Sequence, residues 1–74
     1  MKAADTIREC SKRAGISFYR IALNLNKNSQ YITSMISQNT NPQVNTLAKI
    51  LNECGYDLVA VPEDEVTDDM LVID

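Results

Sequence analysis

A chain of 74 residues, 45% apolar and 23% charged, makes one small domain that buries only about 60–65% of its unfolded surface. It contains no His, no Gly-rich phosphate loop and no Cys pair at metal spacing, so neither an enzyme nor a metal or cofactor site is expected. The net charge of −3 is unevenly divided: residues 1–56 carry all seven bases against Asp5, Glu9 and Glu53, for +4, while residues 57–74 carry seven acids and no base, for −7. The front of the chain is therefore free to face phosphate although the whole is acidic.

No apolar run approaches the roughly 20 residues of a membrane span, and the opening MKAADTIREC is too polar for a signal peptide. A cytoplasmic protein without a membrane partner is expected. Cys10 and Cys54 are far apart and sit where small apolar side chains fit, which reads as two buried free thiols.

Residues 4–14 read as a first helix, with Ile7, Cys10 and Ala14 inward and Arg8, Glu9, Lys12 and Arg13 outside. Asp5 or Thr6 serves its start, and Gly15 suits the left-handed position just past its end. Ser17 caps a second helix over 18–25, with Ile21, Ala22 and Leu25 inward. Asn26 ends it, because Asn tolerates left-handed backbone almost as well as Gly. Asn28 or Ser29 caps a third helix over 29–37, whose inward stripe is Ile32, Met35 and Ile36 and whose other side is polar.

Residues 38–42, QNTNP, form a polar loop, since Pro42 disfavours helix just before it. A fourth helix spans about 44–54, with Val44, Leu47, Ala48, Ile50 and Leu51 inward, and Gly55 stops it. The run YDLVAV at 56–61 reads as a short β-strand closed by Pro62, apolar on both faces: Leu58 and Ala60 on one, Val59 and Val61 on the other. A lone strand is a liability, so Leu58, Val59, Ala60 and Val61 are expected to pair with a second copy. The acidic tail is expected to be a solvating, disordered end, with its capture by a partner or competition for the basic surface as alternatives. Residues 1–56 thus form the domain, and 57–74 a dimerisation strand and acidic tail.

The phrase GIS-x-x-x-IA, an apolar residue before the turn, I-x-x-M, and then NP-x-V-x-TL-x-KIL resembles the Cro and C1-type (Xre-like) helix-turn-helix regulators over residues 5–56. That resemblance implies an all-α, lambda-repressor-like fold of four helices, here with one C-terminal strand. It implies a dimeric, sequence-specific DNA-binding transcriptional repressor on a pseudo-palindromic operator. By the same resemblance Ser29, Gln30, Thr33 and Ser34 fall where the family reaches base edges; a Gln amide can bond adenine N6 and N7 together. Ser17, Phe18, Lys27, Asn28, Tyr31, Asn39 and Asn41 fall at its phosphate-contacting places. Departures are Phe18 where the family often has Gln, Asn26 where Gly is usual, and Ile36 and Gln38 in place of Glu and Gly.

No Arg or Lys lies on the candidate recognition side, so one copy alone holds DNA weakly. The alternative is a helix-turn-helix scaffold that binds protein, as an inhibitor or antitoxin, with the acidic tail engaging a basic partner.

Overall fold

In the computed structural model, which describes residues 1–73, four helices follow one another: α1 (Ala3–Ala14), α2 (Phe18–Asn24), α3 (Tyr31–Ser37) and α4 (Val44–Glu53). A single 3-10 turn at Glu63–Glu65 is the only other regular element among the described residues. The domain is therefore all-α. Each helix sends one isoleucine to the centre: Ile7, Ile21, Ile32 and Ile50 are all fully buried. Cys10, Ala22, Met35, Leu47, Leu51 and Cys54 complete the core around them. Burying a side chain of that size is worth about 1.5–3 kcal/mol, so four such residues dominate the stability of a domain this small.

All four helices end in one way. The chain turns left-handed at Gly15 (φ 68°), Asn26 (φ 59°), Asn39 (φ 51°) and Gly55 (φ 81°). The amide just beyond each then donates back to the carbonyl five residues earlier: Ile16 to Ser11 (3.2 Å), Lys27 to Ala22 (2.9 Å), Thr40 to Met35 (2.9 Å) and Tyr56 to Leu51 (3.0 Å). This is the Schellman closure, which satisfies carbonyls that a helix end leaves open. Ser11 is buried because its hydroxyl donates to the Ile16 carbonyl and locks the first of these turns.

Several expectations are corrected. α1 begins at Ala3, with Lys2 before it making no side-chain cap; Thr6 instead bonds back to the Lys2 carbonyl at 3.1 Å. Asp5 remains in the first turn as a partner for the helix dipole, while Ala3 and Ala4 are buried. Ala14, expected inward, is exposed beside the Gly15 turn. Val44, also expected inward, is 74% exposed at the first position of α4, where no neighbouring helix covers it.

The expected strand over 56–61 is absent: no strand occurs among the described residues. A strand needs a partner for its backbone, and the groups of residues 57–61 bond to no other described backbone group. Nor does that run present two equal faces. Leu58 and Val61 turn half-buried towards their own chain, while Val59 and Ala60 stay exposed. The tail is not a free end either: Leu71 and Ile73 pack against the core cluster, and the Met1 amino group donates to the Val72 carbonyl at 2.8 Å.

Candidate nucleic-acid interface

The residues between α2 and α3 set how the candidate surface is presented. Ser17 caps α2 as expected, its hydroxyl accepting from the Arg20 amide at 3.1 Å. After the Asn26 turn, Asn28 accepts from the Gln30 amide at 2.9 Å, and the Tyr31 amide donates to the Asn28 carbonyl at 3.1 Å. The side chain of Asn28 therefore organises the turn, as such residues do in Asx turns. Because that turn takes up Ser29 and Gln30, α3 starts at Tyr31, two residues later than the expected 29.

Ser29 and Gln30 thus sit in the turn ahead of α3, and Thr33 and Ser34 on the helix itself. Ser29, Gln30 and Thr33 are exposed and Ser34 is half-buried. The opposite side of α3 is fixed by Ile32 and Met35, buried against Ile21 and Ala22 of α2. Ala22, with no side chain beyond Cβ and fully buried, lets the two short helices approach closely.

The residues expected at phosphate divide. Lys27 places its ammonium 5.5 Å from the centre of the Tyr31 ring, a cation–π contact that holds one positive charge beside α3. Arg20, not among those expected contacts, is exposed on α2. Phe18 packs half-buried on the core and has no hydrogen-bonding group to offer a phosphate. Ser17 and Asn28 spend their side-chain oxygens on local amides. Asn39 is the left-handed residue that closes α3, so its position has a structural explanation that sequence spacing alone did not supply. Asn41 is exposed in the loop that follows.

Lys2 was not among the expected contacts. With Asn39, Thr40 and Asn41 it lines a cleft of about 190 Å³ beside the start of α1. A cation from before α1 and two amides from the α3–α4 loop meet there, which spacing in sequence gives no means to see. Asn24 was also missed: it donates to Glu53 at 2.8 Å and ties the end of α2 to the end of α4. The bases of α1 are partly occupied at the surface, Arg13 with Glu9 (2.9 Å) and Arg8 with Asp5 (3.4 Å). Such exposed pairs contribute little to stability.

The described residues contain no group of three or more His, Cys, Asp or Glu side chains placed to hold a metal ion, and no helix long and apolar enough to cross a membrane. Both thiols are buried and free, and burial pushes each above its ordinary pKa. No family model matches the chain, and no curated protein or solved structure matches it either.

Proposed function

We propose that this chain is a small transcriptional regulator whose α2–turn–α3 unit is a helix-turn-helix that reads duplex DNA. The observation that carries the reading is the exposure of Ser29 and Gln30 in the turn ahead of α3 and of Thr33 on the helix: hydroxyl and amide groups facing outward from a short helix whose inner side is anchored by Ile32 and Met35. Hydroxyls and amides match the donor and acceptor pattern of base edges in the major groove, with Gln30 directed at adenine. Lys27, Arg20, Lys2 and Asn41 supply the phosphate contacts that orient the helix.

With so few cations at this surface, one copy binds weakly and two copies on a pseudo-palindromic site bind usefully, their recognition helices about 34 Å apart. The unpaired backbone of residues 57–61, with Val59 and Ala60 outward, is the edge through which two copies meet. Both copies bring acidic tails to that contact, so self-association is weak and strengthens as salt screens the repulsion. Promoter occlusion is the mechanism, carried out by the domain itself.

The test is selection of bound sequences from random duplexes, followed by affinity measured against salt. Enrichment of a two-fold-related site, with affinity falling steeply as salt rises, is the expected result. Failure to retain any duplex above a scrambled control at low salt refutes the reading. Replacing Val59 with Lys is expected to leave the fold intact and remove self-association in sedimentation.

A further inference from the structure

The chain beyond α4 folds back as a lobe on α1 and α4 and leaves an apolar cavity of about 480 Å³ beneath it. Cys10 and Leu51 lie at its base, and Leu58, Val61, Leu71 and Ile73 reach it from the lobe. That volume is within the range of about 300–1,000 Å³ typical of ligand-sized clefts.

The lobe does not finish its own closure. Val59, Val66, Met70 and Val72, all lining the cavity, are 68%, 41%, 42% and 48% exposed, and they are half of the large apolar side chains left exposed among the described residues. Asp57 and Asp69 line the cavity with them, and Glu63, Asp64, Glu65 and Asp68 are exposed along the same segment. The side-chain cations Arg8 and Arg13 pair with Asp5 and Glu9 on α1 and not with these carboxylates. An apolar patch rimmed by one sign of charge marks an interaction site for a partner of the opposite sign.

The charge selects the occupant. A second copy seated in the cavity would bring its own seven acids against these. A fatty-acid anion or a nucleic acid is repelled in the same way. A helix with aliphatic residues at i, i+3, i+4 and i+7 and Lys or Arg beside them satisfies both the cavity and its rim. We propose that the C-terminal lobe is the docking surface for a basic amphipathic helix of a partner protein, its aliphatic anchors filling the cavity and its cations facing Glu63 to Asp69. Docking there leaves the α3 surface uncovered, since no α3 residue lines the cavity. It does share Val59 with the edge assigned above to self-association, so the helix and a second copy compete.

The test uses the full chain, methyl-labelled, titrated with a synthetic Leu/Lys helical peptide and with a Ser/Lys peptide of equal charge. The expected result is saturable binding of the Leu/Lys peptide alone, with shifts concentrated on Val59, Val66, Met70 and Leu71. Met70→Ser and Val66→Ser, both at exposed positions, are each expected to weaken it about tenfold, while Gln30→Ala leaves it unchanged. Equal binding of the two peptides, absence of binding, or shifts centred on α2 and α3 overturns the proposal. So does a dimer of the chain that the Leu/Lys peptide, even at saturating concentration, fails to displace from the same methyls.

Discussion

Asn39 offers the sharpest separation of backbone role from binding role. It holds φ at 51°, in the left-handed region, and its amide donates to the Ile36 carbonyl at 3.0 Å while the Thr40 amide reaches Met35 at 2.9 Å. Left-handed backbone costs an ordinary L-residue about 1–2 kcal/mol, Asn less, and Gly almost nothing. Asn39→Ala is therefore expected to lose about 1 kcal/mol and Asn39→Gly to gain about 0.5 kcal/mol. For a chain of this length total stability is of the order of 4–11 kcal/mol, and 1 kcal/mol moves the midpoint by about 4–8 °C. Thermal and urea unfolding of the two variants beside the parent measures this directly. The glycine variant also isolates the amide: its affinity for a selected duplex, set against its raised stability, reports whether that side chain touches DNA. An alanine variant as stable as the parent refutes the reasoning, because it would mean that the turn imposes no conformational demand.

Three further outcomes are expected. Ile32→Ala, at the fully buried centre of α3, should cost about 2–5 kcal/mol, leaving a chain that is largely unfolded by circular dichroism at 37 °C or melts far below the parent. Gln30→Ala should leave the melting temperature within error, since the exposed side chain serves no internal bond, yet cost about 1–3 kcal/mol on a selected duplex and relax preference at one base position. Burial raises the Cys10 and Cys54 thiols above 9.0, so the folded state retains protons that the unfolded chain releases. Stability from this source is complete below pH 9.0 and declines as pH rises through the higher folded values; Cys54→Ala should flatten that decline in unfolding titrations.

What could be read from the sequence follows from how local each signal is. Ile7, Ile21, Ile32 and Ile50 lie on helical stripes visible in windows of a few residues, and Gly15, Asn26 and Gly55 mark helix ends by residue type alone. The fourth such end, Asn39, has the same chemistry, but its place in a polar loop suggested a contact instead. The start of α3 was hidden because Ser29 and Gln30 suit a helix as well as a turn, and only the Asn28 side chain decides between them. The run at 56–61 has strand composition without a strand's partner, and composition carries no information about pairing. The return of Leu71 and Ile73 to the core is a contact across most of the chain, from a segment whose acids dominate its local character. Lys2 beside Asn41 was out of reach for the same reason.

The placement of the three tyrosines has a practical use. With no Trp in the chain, all intrinsic fluorescence comes from Tyr19, Tyr31 and Tyr56. Tyr19 stands 57% exposed on α2, Tyr31 lies under the Lys27 ammonium at the start of α3, and Tyr56 lines the cavity under the C-terminal lobe. Each surface therefore has its own native fluorophore. Emission of a variant retaining only Tyr31 follows duplex binding, one retaining only Tyr56 follows occupancy of the cavity, and one retaining only Tyr19 supplies the solvent reference. Two ligands added to one sample can be told apart without attaching a dye.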